Sequence, residues 1–78
     1  MPIIHSFDGI KILIFSKDHN PPHFHVYYGD YHALIEIENL QILRGYLPNK
    51  QYQKTRDWAI TRKAPILETF KNLNPDLR

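Results

Sequence analysis

Residues 23–37 read HFHVYYGDYHALIEI, two runs of β-branched and aromatic residues joined by Gly29-Asp30. A two-residue glycine turn between such runs predicts a β-hairpin. Because side chains alternate along a strand, pairing Tyr28 with Tyr31 puts His23 opposite Glu36. That register gives one apolar core face: Phe24, Val26, Tyr28, Tyr31, Ala33, Ile35 and Ile37. The other face carries His23, His25, Tyr27, His32, Leu34 and Glu36, with His32 diagonal to His25.

The flanking segments extend this hairpin into a sheet. Upstream, Asp8-Gly9 is a second hairpin signal, between strands predicted at residues 3–7 and 10–15. Downstream, a turn at residues 39–40 precedes a strand predicted at 41–46, in which Ile42 and Tyr46 belong to the core face. The sequence therefore predicts an antiparallel β-meander of about five strands over residues 3–46.

Helical spacing begins after Pro48, where either Pro48 or Asn49 suits a helix start. Apolar residues recur at helical intervals over residues 49–73, and Pro65 is expected to end or kink the helix. We expect one kinked helix or two consecutive helices, packed on the core face of the sheet, and residues 74–78 to be a frayed end. The prediction is an α+β fold in a single domain over residues 1–78, with His5 in the core.

Composition narrows the classes of protein. With 78 residues, 42% hydrophobic and no cysteine, the chain forms one small core without disulfides or thiolate zinc sites. No signal peptide or membrane-spanning run is present, so we expect a cytoplasmic protein with no membrane partner. A core this small favours completion by a protein partner or by a homodimer. Eight of the ten Lys and Arg residues follow residue 39, which adds nucleic acid as a candidate partner.

Most of the candidate functional residues lie in the stretch DHNPPHFH, residues 18–25. Pro21 and Pro22 stiffen the loop, and His23 and His25 point the same way because they lie two apart on a strand. A metal site is the first interpretation, with its ligands drawn from a set of histidines and carboxylates: Asp18, His19, His23, His25 and Glu36, with His32 a further option. Imidazole and carboxylate ligands suit a divalent ion such as zinc or manganese.

Two other interpretations stay open. Histidines that titrate near neutral pH can share proton transfer, so His19, His23 and His25 are candidate catalytic residues for cleavage of a phosphodiester. Alternatively, the histidines only hydrogen-bond to backbone carbonyls and, with the prolines, lock the loop. His32, close to a turn, is expected to be an ordinary surface residue.

The sequence also resembles a known family, the small bacterial proteins catalogued as domain of unknown function 4160. The resemblance is carried by residues 2–4, 7–10, 33–37, 45–48 and 58–59, and above all by HNPPHFH at 19–25. The family's shared segment corresponds here to His19, Asn20, Pro21, Pro22, His23 and His25. Pro65 departs from the family pattern, in which the tail resembles an uninterrupted helix.

The resemblance implies a general type of function but no specific activity. Members tend to be encoded beside another small protein, a layout similar to toxin–antitoxin modules. We therefore expect a component of such a two-gene module that binds a small protein encoded by a neighbouring gene, through a second apolar area of the sheet. The alternative is an enzyme, either a toxin that cleaves RNA or another phosphodiester, or a metal-dependent hydrolase, using residues 19–25.

Overall fold

The structure, a computed structural model, describes residues 3–16 and 18–75, with the side chain of residue 3 left out. Five antiparallel strands lie in the order β1-β2-β3-β4-β5, and two helices follow. Their bounds are β1 Ile3–Phe7, β2 Ile10–Leu13, β3 His23–Tyr28, β4 Tyr31–Glu36, β5 Ile42–Gly45, α1 Asn49–Ile60 and α2 Lys63–Leu73. The predicted α+β meander is confirmed. Neither helix is long and apolar enough to cross a membrane, within the described residues.

The two hairpin registers follow the sequence prediction. Phe7 pairs with Ile10 around a turn in which Asp8 and Gly9 have φ of 50° and 78°. Tyr28 pairs with Tyr31, and along β3 and β4 His23 lies opposite Glu36. Since a strand alternates its side chains, this register separates the histidines from the core residues of the same strands.

Two irregularities change the expected faces. The β1–β2 register shifts between Ile3 and His5, and Ile4, at this irregularity, packs against the core. The β4–β5 register shifts between Leu34 and Ile35, and β5 ends at Gly45 with φ of 88°. The prediction that Tyr46 belongs to the core face was wrong, because the chain turns at Gly45 and leaves Tyr46 61% exposed.

Both helices cover the core face of the sheet. Ala59 from α1 and Ile66 and Phe70 from α2 are buried in one cluster with core residues of the strands, among them Phe24 and Ile35. Burying an aliphatic or aromatic side chain of this size contributes about 1.5 to 3 kcal/mol. The predicted packing of the helical segment on one face is therefore confirmed.

His5 is half-buried on β1, at the edge of this cluster. Its ring stacks on the indole of Trp58, with ring centroids 4.9 Å apart and planes 11° apart. Trp58 itself packs against the core. The prediction that His5 lies in the core is therefore met in part, because His5 stacks on Trp58 at the margin of the core.

The helical segment breaks at Thr61 and Arg62, four and three residues before Pro65. Pro65 is the third residue of α2, where its missing N–H costs nothing because the first four N–H groups of a helix have no intrahelical partner. Two consecutive helices are present as expected, but the prediction that Pro65 marks the break was wrong, because the break comes before it. Pro65 lies in the first turn of the second helix.

Candidate metal centre

One carboxylate oxygen meets two imidazoles where the loop after β2 enters β3. Asp18 Oδ2 lies 2.9 Å from His23 Nε2 and 2.9 Å from His25 Nε2. One ligand atom from each of these three residues lies within 4.8 Å of the other two. The Asp18 and His25 side chains are 13% and 11% exposed and that of His23 is 3% exposed, so the group sits just below the surface.

The tautomer of His23 follows from its other ring nitrogen. Nδ1 lies 2.8 Å from the backbone carbonyl oxygen of Pro21, which can only accept, so Nδ1 carries the proton and donates. In the neutral ring Nε2 is then a bare lone pair. This atom is buried and has no hydrogen-bond partner among the described residues, because its 2.9 Å contact with Asp18 lacks hydrogen-bond alignment. In the neutral ring this lone pair would repel the carboxylate, so the 2.9 Å contact calls for a proton or a cation between Nε2 and Oδ2.

His25 is held from both sides. Its Nε2 is hydrogen-bonded to Asp18 Oδ2 at 2.9 Å, and its Nδ1 lies 3.1 Å from His32 Nε2. The ring also meets Phe15 edge to face, with centroids 4.2 Å apart. Few rotations are left to this imidazole, so its Nε2 is fixed toward Asp18.

The loop that carries Asp18 is fastened to the end of α2. Asn74 is 5% exposed, and its Oδ1 accepts the backbone N–H of Asp18 at 2.7 Å. Its Nδ2 donates to the carbonyl oxygens of Phe15 and Phe70, both at 3.0 Å. The expectation of a frayed end from residue 74 was wrong for Asn74, because this buried amide bridges helix and loop. Residues 76–78 lie outside the described residues.

The pKa shifts of the group favour a charged Asp18 carboxylate beside a neutral His25 ring. Burial alone would raise the pKa of Asp18, but the hydrogen bond from His25 and the positive charge that His23 carries when it is protonated outweigh it, so the pKa is lowered. Burial lowers the pKa of His25, although the hydrogen bond to Asp18 opposes the shift, and burial also lowers the pKa of His32. A metal needs deprotonated ligands, so Asp18 and His25 match that need near neutral pH.

These shifts predict that acid destabilises the fold. A histidine whose folded pKa lies below the unfolded value of 6.5 binds fewer protons when folded, so the free energy of unfolding falls as pH drops through that window. We expect urea midpoints to fall between about pH 7.5 and about pH 5. A His25→Gln variant should show a weaker pH dependence of this midpoint, and an equal pH dependence in both proteins would contradict the assignment.

The spacing suits a divalent ion. Two metal–ligand bonds of about 2.1 Å separate their ligand atoms by about 3.0 Å at right angles and by about 3.4 Å at the tetrahedral angle. Both nitrogen–oxygen distances of 2.9 Å are close to the first value. Two imidazoles and one carboxylate on one side of an ion, with the remaining positions open, are typical of non-haem iron and of catalytic zinc sites.

The structure brings together three of the predicted ligands. Asp18, His23 and His25 form the group, while the His19 and Glu36 side chains are not members of it. His19 is exposed, and its backbone N–H donates to Asp18 Oδ1 at 3.1 Å. Glu36 lies across from His23 in the sheet. The roles of His19 and Glu36 remain predictions.

Two further residues support the group, of which the sequence offered His32 only as an optional ligand and did not indicate Asn74. His32 is exposed, as expected, but it also touches His25, and its position diagonal to His25 was the available signal. Asn74 carried no signal, because its contact with Asp18 spans 56 positions of the chain.

Comparison with known proteins gives one match. A family model described as Domain of unknown function (DUF4160) matches residues 9–71. The matched range includes Asp18, His23, His25 and His32. No curated protein and no solved structure was found to match the chain.

Proposed function

We propose that this chain, which belongs to the family described as Domain of unknown function (DUF4160), is a metal-dependent hydrolase. Asp18, His23 and His25 are the proposed ligands of a divalent ion such as zinc or manganese. The proposed substrate is a phosphodiester. This is the substrate class of the RNA-cleaving toxin that the sequence offers as an alternative function.

The observation that carries the proposal is the lone pair of His23. A buried polar atom without a partner costs about 1 to 3 kcal/mol, and proteins rarely keep one without a use. Here the unpartnered Nε2 faces an ionised carboxylate at 2.9 Å, while Nδ1 is fixed on a backbone carbonyl. Metal-binding histidines are oriented in this way, with the second ring nitrogen donating to a carbonyl or carboxylate. A protonated His23 paired with Asp18 would also account for the position of Nε2, and titration with a metal separates the two explanations.

Each residue around such a site would have its own role. An ion held here would supply a water of lowered pKa and a positive charge for the oxygen being attacked. Asp18, His23 and His25 fix the ion from the protein side, and Phe15 and Phe70 contact the two rings and limit the entry of water. His19 stands exposed beside Asp18, where it can exchange a proton with a leaving group.

A direct assay tests the proposal. The protein, stripped of metal and supplied with zinc or manganese, is incubated with single-stranded RNA and with bis(4-nitrophenyl) phosphate. We expect hydrolysis that is abolished by a chelator and by His23→Ala, and that is at most reduced in His19→Ala. If a His23→Ala variant that folds normally cleaves as fast as the parent, the hydrolase assignment fails.

A second candidate function is the binding of a small protein partner. Three large apolar side chains of the β4–β5 region are exposed: Tyr31 at 43%, Leu43 at 44% and Tyr46 at 61%. The rings of Tyr31 and Tyr46 lie 5.6 Å apart, so they form one patch, and β5 is an edge strand. An exposed aromatic patch beside a free strand edge is typical of an interaction surface. This patch supports the expected binding of the product of a neighbouring gene.

Co-expression with that neighbouring product tests the second function. We expect the two proteins to purify together, and Tyr46→Lys to weaken their association, because it places a charge in the patch. Gln53→Lys, an exposed position on α1, is the matched control. Failure of the wild-type protein to retain the neighbouring product would remove this candidate while leaving the hydrolase proposal standing.

A further inference from the structure

We propose that His32 is a positioning residue of the metal centre, which orients the His25 ring through a hydrogen bond. In the metal-free site His32 donates this hydrogen bond to His25, and in the metal-bound site it accepts it. This inference rests on the proposed function, since it concerns how the same site binds its ion. It depends on the 3.1 Å contact between His25 Nδ1 and His32 Nε2.

Without a metal, one arrangement of protons satisfies both the His32–His25 contact and the His25–Asp18 contact. His32 Nε2–H donates to His25 Nδ1, and His25 Nε2–H donates to Asp18 Oδ2 at 2.9 Å. The reverse tautomer of His25 would leave its Nε2 lone pair against the carboxylate, beside the bare Nε2 of His23. The donor role of His32 therefore holds the metal-free site in a hydrogen-bonded state.

With a metal, the arrangement must reverse. His25 Nε2 needs its lone pair for the ion, so the ring proton moves to Nδ1, which then donates to His32 Nε2. His32 carries its own proton on Nδ1 in this state. Each ring keeps one proton throughout, so the exchange changes neither ring's charge and needs no net uptake or release from the pair.

His32 is placed to position His25 and is not itself a ligand. Its Nε2 faces Nδ1 of His25, the nitrogen on the side of the ring away from Asp18. The His32 ring stacks on Tyr27, with centroids 4.2 Å apart. Its plane lies 18° from that of the His25 ring, and the 5.3 Å between their centroids fits two rings side by side that share the in-plane hydrogen bond. The stack and the hydrogen bond together fix the orientation of an otherwise exposed side chain.

Three variants separate hydrogen bonding from packing. His32→Phe keeps an aromatic ring for the stack but removes the hydrogen bond, His32→Gln offers an amide that can accept or donate, and Tyr27→Phe keeps the stack and is the packing control. Cobalt(II) serves as the probe, because its visible spectrum reports the ligand geometry and its titration gives the affinity. The free energy of unfolding of each metal-free variant is measured in parallel.

We expect His32→Phe to weaken cobalt binding by about 10- to 100-fold and to alter the cobalt spectrum. His32→Gln should recover most of the affinity, and Tyr27→Phe should bind as the parent does. Equal affinity and identical spectra for the parent and His32→Phe would overturn the positioning role, and so would a loss in His32→Gln as large as in His32→Phe. A parent protein that binds no cobalt would instead refute the metal centre itself.

Discussion

Asp18→Asn should reduce the affinity for zinc by at least about 100-fold while leaving the fold intact. The carboxylate is the charged member of the proposed ligand set, and its Oδ2 is the atom shared by both imidazoles. An amide has the same shape, and with its oxygen toward His25 it keeps that hydrogen bond, while its NH2 group replaces the acceptor of the His19 backbone N–H. The amide oxygen carries no full negative charge and is a far weaker ligand for a divalent ion. Calorimetric titration of the metal-free protein with zinc measures the change.

Asp8→Asn is the matched control. Asp8 is an exposed carboxylate in the β1–β2 turn, where it pairs with Lys54 Nζ at 3.1 Å. The substitution removes the same charge from a position suited to asparagine, since its φ is 50°. We expect its zinc affinity to match that of the parent protein. An equal loss in both variants would mean that zinc responds to the overall charge and not to the site.

Gly45→Ala should lower the free energy of unfolding by about 3 kcal/mol or more. Gly45 ends β5 with φ of 88°, and an added Cβ would lie 2.1 Å from the carbonyl oxygen of His32 and 2.9 Å from the Ala33 Cα. Both neighbours are backbone atoms of the adjacent strand. The His32 carbonyl also accepts the Tyr46 N–H at 3.1 Å, so the strands cannot separate there without losing that bond.

Gly29→Ala separates backbone strain from this collision. Gly29 has φ of 56°, and nothing lies within 4 Å of an added Cβ, so only the left-handed conformation is penalised, by about 1 kcal/mol. Urea denaturation of both variants measures the difference. If Gly45→Ala costs no more than Gly29→Ala, β4 and β5 are not in the close contact described here.

The predictable part of the fold rests on alternation over short distances. The Tyr28–Tyr31 register follows from a two-residue turn, and it determines which side of β3 carries His23 and His25. The position of Tyr46 was not predictable in the same way, because a shift of register and the turn at Gly45 break the alternation just before it.

The candidate site also has a part that local sequence patterns predict and a part that they do not. His23 and His25 follow from strand geometry, and the stiff double-proline loop returns Asp18 to them. The exclusion of His19 and Glu36 from the group depends on side-chain directions that spacing alone does not determine. The role of Asn74 depends on where the last turn of α2 meets the loop, which is a tertiary contact. Local patterns indicated the segment that holds the candidate ligands, and tertiary packing determines which of them come together.

Long-range proton–nitrogen correlation spectra of the histidine rings, recorded as zinc is added, test the metal centre most directly, because all five histidines are observed at once. One equivalent of zinc should shift the Nε2 signals of His23 and His25 to values typical of metal ligation, with both Nδ1 atoms protonated. The rings of His5 and His19 should keep their metal-free signals. Ring signals of His23 and His25 that stay unchanged, or shifts confined to His5 and His19, would contradict a metal centre at Asp18, His23 and His25.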